Sequence, residues 1–433
     1  MIDNTEDDET YNDSCSPSLT EGYYTKERIH IFPLNLNIKQ LPNVKNILGD
    51  DIETMLVCNL LAKGKVSYSR DNSVTIPKKY NKYSYSNYRI LKAVDRLVNK
   101  GYVYSHISEY KYNADYEEIE QSYIQATPLL KATFDKRQNR KKSNESYKTD
   151  IQTVILKDEN GNMIDYSDNS FTRESRNIIY EYNKAAMKYD VCLDDVKFDV
   201  VLRSHHKISF DNYGRLFAMG NSHQNMKKED RHRITINGEQ VAEIDYRNLH
   251  LKMLLDHYKL ADSFPAGIDL YSLALTEEQK KNPANRKLVK LMVMTAINNK
   301  SRWESIRAFN HKVMRENINT GDFQSGESVM QALENGIPEL FKNKAILQNM
   351  YSGFLPMAAF LQKKDSTICK DVLQQCERMK AFVLPVHDSF ITPLCSADIV
   401  GRIMGDSYRK VMSVNTLVPC SVSVDGDTWE TTY

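Results

Sequence analysis

Two short apolar runs, VAEIDY (241–246) and FVLPVHDSF (382–390), each deliver an aspartate, and this pairing constrains the fold more than any other feature. Val241 to Ile244 has strand character, and Leu249, Met253 and Leu254 then recur at helical spacing. Asp245 is therefore expected at a strand-to-helix junction. Ala381 to Val386 reads as a buried strand, and Phe390-Ile391 resumes the apolar pattern after His387 and Asp388. Asp388 is expected in a tight hairpin turn. Taken singly, each aspartate has an ordinary explanation, a helix N-cap for Asp245 and a turn residue for Asp388. Two such junctions in one chain place two carboxylates on rigid elements, where they can face a cleft.

Between them lies a ladder, Arg286-x3-Lys290-x3-Met294-x3-Asn298. Each step of four turns a helix by about 400°, so the four side chains share one slowly drifting face. Arg286 and Lys290 sit one turn apart and suit successive phosphate groups. A solvated basic edge beside a core methionine is the plain alternative. Carboxylates for divalent metals and cations for a triphosphate are the parts of a nucleotidyl-transfer site.

At 433 residues, with 41% hydrophobic content, the chain is long enough for two or three domains. A net charge of +1 means that any nucleic-acid groove must arise from local charge separation. The 7 cysteines are odd in number and show no CxxC pair, which favours reduced thiols and a cytoplasmic setting over disulfides or zinc. No apolar stretch approaches the roughly 20 residues needed to span a bilayer, so no membrane partner is expected.

Residues 1–25 carry acids and no Lys or Arg, and read as a disordered acidic tail. Residues 26–130 read as a small α+β domain. Asp50 to Leu61 is an amphipathic helix, and Ser86 or Asn87 caps a second, with Ile90, Leu91, Val94, Leu97 and Val98 on one face and Gly101 at its end. The alternation from Tyr102 to Ile107 then suggests a strand with a return strand. This order resembles a winged-helix domain, a module used for DNA or for protein contact. Residues 131–150, with KRQNRKK at 136–142, are expected to be a basic linker. Val154 to Ile164 reads as a hairpin with an Asn-Gly turn, and Arg173 to Tyr189 as a helix, within a reduced thumb or connector over 151–194.

Across roughly 195–433 the segments together resemble the family A polymerase superfamily, which includes DNA polymerases and single-subunit phage-type RNA polymerases. IDYRNLHLKML is similar to motif A, RKLVKLMVMTAINN to motif B on the fingers helix, and LPVHDSF to motif C. Lesser matches fall around them in order: Asp211 to Arg215, His223-Gln224-Asn225, Gly267 to Tyr271, Phe360 to Gln362 followed by Asp365-Ser366, and Val424 to Trp429.

The resemblance implies an α+β right hand of palm and fingers, the fingers near 256–345, with a reduced thumb. It implies two Mg²⁺ ions, or Mn²⁺, on Asp245 and Asp388, and a triphosphate held by Arg286 and Lys290. Lys290 would also protonate pyrophosphate, and His387 would orient the primer end. Met294, Asn298 and His250 would face the nucleotide, while Arg215, Gln224, Asn225 and Gln362 would track a DNA template and nascent strand.

Departures from the pattern bear on which sugar is used. His250 stands where the DNA enzymes usually carry glutamate; Met294 and the His-Asp-Ser-Phe form of motif C are those of the RNA enzymes. Asp-Tyr in motif A and Gly-Ile-Asp-Leu-Tyr lean the other way, and Asn298-Asn299 replaces the Tyr-Gly of both branches. The leading expectation is a compact DNA-templated RNA polymerase or primase. A DNA polymerase or replication protein of a mobile element, a template-independent transferase, and a catalytically inactive DNA-binding regulator stay open. The short thumb predicts low processivity unless an accessory protein subunit supplies a clamp.

Overall fold

The computed structural model describes residues 32–71, 75–107, 122–220, 222–265, 267–352 and 355–433; the acidic tail expected over 1–25 lies outside them. Helices and sheets are mixed throughout. In chain order the elements are β1 (Phe32–Pro33), α1 (Pro42–Leu48), α2 (Asp51–Lys63), β2 (Lys65–Ser67), α3 (Asn87–Asn99), β3 (Val103–His106), β4 (Tyr123–Ala126), α4 (Pro128–Phe134), α5 (Arg137–Thr149), β5 (Val154–Lys157) and α6 (Ser170–Ala186). There follow β6 (Val191–Leu193), β7 (Val196–Lys197), β8 (Leu202–Lys207), β9 (Leu216–Ala218), α7 (Lys228–Arg231), β10 (Ile234–Ile236), β11 (Glu239–Tyr246), α8 (Leu249–His257), α9 (Pro283–Asn298), α10 (Arg302–Arg315) and α11 (Gly326–Gly336). The chain ends with α12 (Pro338–Phe341), α13 (Lys344–Ser352), α14 (Met357–Arg378), β12 (Leu384–Val386), β13 (Ser389–Pro393), α15 (Ala397–Met412), β14 (Pro419–Val424) and β15 (Asp427–Thr432).

Two compact units result. The first comprises the described residues up to Phe210, with Leu216–Val241 and Phe382–Val386; the second comprises Asp211–Arg215, Ala242–Ala381 and His387–Tyr433. The chain crosses between these units several times, because strand pairing groups residues distant in sequence.

In the first unit α2 is the central helix. Asp50 caps it by accepting from the N–H groups of Ile52 (2.8 Å) and Glu53 (2.9 Å). Residues Ile52 to Leu61 are buried on every side, so the expected amphipathic helix is a core helix instead. Its Glu53 is 1% exposed and is compensated by Arg96 and Lys100, each at 2.6 Å. Ser86 caps α3. Ile90, Leu91, Val94 and Leu97 point inward as the periodicity predicts, but Val98 is 39% exposed. Strand β2 pairs parallel with β1 and antiparallel with β4, which pairs antiparallel with β3.

The basic segment expected as a linker is helical instead: α4 and then α5, which packs on α2. Its inward face is Asn139, Ser143, Ser146 and Tyr147, at helical spacing and buried. An apolar-periodicity search misses this face because three of the four residues are polar. Its bonds explain the burial: Asn139 donates to Phe134 O (3.0 Å), and the Tyr147 hydroxyl donates to Pro33 O. The turn expected at Asn160-Gly161 forms, with Gly161 at φ +85° and Lys157 bridged to Met163.

In the second unit the end of β11 pairs antiparallel with β14, placing Asp245 opposite Ser421 and Tyr246 opposite Cys420. Strand β13 neighbours β11 as well. The β14–β15 hairpin turns at Asp425 (φ +50°) and Gly426 (φ +87°), the positive-φ pair that a two-residue hairpin loop favours. Helix α9 packs against α10, α11 and α14. Among the described residues no helix is long and apolar enough to cross a membrane.

Candidate active site

Along the end of β11, Val241 to Ile244 and Tyr246 are buried, and Asp245 alone is partly exposed. The same holds at the second junction, where His387 and Asp388 are partly exposed between the buried runs Leu384–Val386 and Ser389–Pro393. His387 takes φ +54°, which tightens the turn. Because β11 and β13 are neighbours, the two junctions meet, and the Tyr246 N–H donates to Asp388 O at 3.4 Å. The Tyr246 ring anchors the opposite face, donating to Met404 O at 2.7 Å.

The ordinary explanation of Asp245 fails here. The N-cap residue of α8 is Asn248, at φ +55°. Its side-chain oxygen accepts from Arg286 Nη2 at 3.4 Å.

Tyr271 is the residue on which the site converges. It is 3% exposed, in a 3-10 turn (Leu270–Ala274) capped by Asp269. Burial pushes its phenol pKa up; Asp269, Asp388 and Asp245 push the same way, and Arg286 opposes them. Both junction carboxylates therefore bear on one hydroxyl. The Arg286 guanidinium lies over the Tyr271 ring at 5.4 Å and grips Asp269 with two bonds, Nε–Oδ2 at 2.6 Å and Nη2–Oδ1 at 3.3 Å. A close approach fixes the turn: a Cβ on Gly336 of α11 would stand 2.2 Å from Leu273 O.

The ladder lies on α9 as the spacing predicts, with Asn282 as N-cap and a proline in the first turn. Arg286, Met294 and Asn298 are partly exposed and Lys290 is exposed, whereas Leu288, Val289, Met292, Val293 and Ala296 form the buried face. Asn298 Nδ2 donates to Met294 O at 2.8 Å and so closes the helix end.

A second polar group adjoins the first. His250 is 9% exposed, and burial, then the charges of Arg215 and Lys290, push its pKa down to about 3. Arg215 Nη2 lies 3.4 Å from His250 Nε2, and its Nε donates to Asp365 Oδ2 at 3.0 Å. Asp365 is 2% exposed, and its carboxyl pKa rises to about 6 through burial and the charge of Asp388, with Arg215 opposing.

The geometry thus gathers Asp245, Asp388, Arg286, Lys290, His250 and Arg215 in the second unit, and adds Tyr271, Asp269 and Asp365. Sequence reasoning gave these three no role. A tyrosine and an aspartate in Gly267 to Tyr271, and an aspartate within a long helix, were the available signals. Gln362 lies partly buried on α14. Gln224 and Asn225 fall in the first unit. The Gln224 carboxamide is engaged internally, accepting from Ala218 N (2.7 Å) and donating to Leu216 O (3.2 Å) and Pro385 O (2.8 Å). These bonds brace the fold. Asn225 Oδ1 accepts from Ser222 Oγ at 3.3 Å.

No protein-family model matches the sequence. No curated protein matches it either. Among solved structures, the POL domain of Pol1 from M. smegmatis, in complex with DNA primer-template and dNTP, is similar at a TM-score of 0.33 and 12% identity, over 92% of this chain and 67% of that one.

Proposed function

We propose that the second unit performs nucleotidyl transfer onto a nucleic-acid 3′ end, as a compact DNA-templated RNA polymerase or primase. The observation that carries this reading is the adjacency of β11 and β13, which brings the Asp245 and Asp388 junctions together, with Arg286 over the Tyr271 ring and Lys290 one turn along the helix from Arg286. Among the described residues no group of three or more His, Cys, Asp or Glu could hold an ion. A carboxylate pair fits Mg²⁺, which commonly binds through one or two carboxylates and completes its shell with waters and substrate phosphates. When bound, such ions supply the activated attacking oxygen and stabilise the leaving one.

The chain's own groups divide the remaining work. Arg286 and Lys290 offer charge to the triphosphate, which frees Arg286 from Asp269 or shares it. The Tyr271 hydroxyl, on which the charges of both carboxylates act, positions the incoming phosphates. His250 stays neutral above about pH 4 because its pKa is held at about 3, and it presents an uncharged edge beside Lys290. His387 and Arg215 orient the growing end. Such chemistry is mainly positioning and charge stabilisation.

Primer extension on a DNA template with Mg²⁺, comparing ribonucleotides with deoxyribonucleotides, tests the proposal, with Asp388→Ala as control. Extension with ribonucleotides that is lost in Asp388→Ala supports it. Extension with deoxyribonucleotides alone moves the reading to a DNA polymerase. No extension under either regime, with DNA binding retained, overturns it in favour of a regulator.

A further inference from the structure

Outside that site, the basic run at 136–142 has no role so far. Five of its seven residues are Lys or Arg, in a chain whose net charge is +1. Helix α5 holds the run at one rotational setting. On its inner side Asn43 Nδ2 donates to Asn139 Oδ1 at 2.9 Å, and the Lys39 N–H donates to Ser146 Oγ at 2.6 Å. With Asn139, Ser143, Ser146 and Tyr147 locked inward, Lys136, Arg137, Arg140, Lys141 and Lys142 are all exposed. Lys39, beside the helix, is exposed as well.

Among the described residues the run makes one ion pair, Arg140 Nη1 with Asp135 Oδ2 at 3.5 Å. The acids that flank it are Asp135 and Glu145, too few to balance the cations. Helix stability does not account for the charges. Arg137 and Lys141 are like charges one turn apart, and they repel. Lys136 and Arg137 stand at the N-cap and the first helical position, where the helix dipole disfavours a cation, and the Lys136 side chain makes no capping bond. An anion spread along this face relieves both repulsions.

The spacing favours a linear polyanion over a single phosphate. Seven residues of helix span about 10 Å, and duplex DNA carries about six phosphate charges over that length. The exposed residues of α5 include no aromatic or large aliphatic side chain. The face therefore offers no ring to the bases of a single strand and no apolar surface to a lipid bilayer.

We infer that the outward face of α5 binds the phosphate backbone of duplex DNA without reading its sequence, with Arg137, Lys141 and Lys142 on the phosphates. The inference does not depend on catalysis in the second unit.

The test is fluorescence anisotropy of a labelled duplex DNA oligonucleotide over a range of salt, with the full chain and without Mg²⁺ or triphosphates. Arg137, Lys141 and Lys142 are replaced together with glutamine, which keeps helix propensity. The slope of log affinity against log salt is expected to flatten by about 0.9 for each phosphate contact, about 2.7 in all. The unsubstituted chain then loses about 40-fold more affinity than the variant between about 50 and 200 mM salt. Far-UV circular dichroism checks that the variant folds; all three side chains are exposed, so their loss opens no gap in the core. As a control for overall charge, Lys78, Lys188 and Lys227, exposed elsewhere in the first unit, are replaced with glutamine and should leave most of the slope in place. An unchanged slope in the folded variant, or an equal loss in the control, overturns the inference. So does a loss seen only with a single-stranded oligonucleotide, or only with phosphatidylserine vesicles. A chain that fails primer extension yet shows the duplex loss refutes only the proposed catalysis.

Discussion

Replacing Arg215 with methionine removes the cation that faces Asp365 and keeps most of the aliphatic volume. Asp365 has a side chain 3% exposed, against 16% for Arg215, so the charge left behind is the buried one. With Arg215 in place the Asp365 carboxyl already titrates near 6, above the ordinary 3.8, because burial and Asp388 disfavour its ionised form. That difference corresponds to about 3 kcal/mol against ionisation. An acid whose folded pKa is raised binds more protons folded than unfolded, so its contribution to stability falls as pH rises from about 4 to about 6. Loss of Arg215 raises the carboxyl further and extends that fall to higher pH. Arg215→Met should therefore destabilise the protein by about 3–5 kcal/mol at pH 8, the usual loss on breaking a buried pair. The deficit should shrink steadily towards pH 5, as Asp365 becomes a neutral acid. Urea unfolding followed by circular dichroism at several pH values measures this, and adding Asp365→Asn should restore most of the stability at pH 8. A deficit independent of pH between 5 and 8, or no rescue by Asp365→Asn, would refute the reasoning.

Three further outcomes follow from the same geometry. His250 has the opposite sign: its folded pKa lies below the unfolded one, so the folded protein loses stability as pH falls from about 6.5 towards 3. His250→Gln should flatten that acid limb in pH-dependent melts. Arg286→Ala should raise the KM for the triphosphate about 10- to 100-fold, the loss of charged hydrogen bonds, while Asp269→Asn, which loosens the competing grip, should change KM far less; steady-state extension kinetics separate the two. Gly336→Ala must push a Cβ into Leu273 O. It should displace the turn carrying Tyr271 and lower both melting temperature and extension rate, whereas an alanine at Gly238, where a Cβ meets nothing within 4 Å, would disturb only its own positive-φ turn and leave the extension rate unchanged.

Much of the second unit was legible because its signals are local. The strand ending at Asp245, the turn at His387-Asp388 and the α9 ladder each follow from a period of two or of 3.6 over about a dozen residues. Caps at Asp50, Ser86 and Asn282 follow from single side chains. Where the inward face is polar, as at Asn139, Ser143 and Ser146, the same method reads a helix as a linker.

Local pattern alone therefore determined that two carboxylates stand at the ends of apolar strands and that two cations share a helical face. Only the tertiary structure decided which of these groups meet. Adjacency of β11 and β13 joins Asp245 to Asp388, and Arg215 reaches Asp365 across 150 positions of sequence. It also decided that Gln224 faces inward to carbonyls, and that α5 turns its cations to solvent. The physical reason is that a residue's intrinsic preferences fix dihedrals and periodicity, whereas long-range pairing is selected by burial of the whole core and the satisfaction of its polar groups.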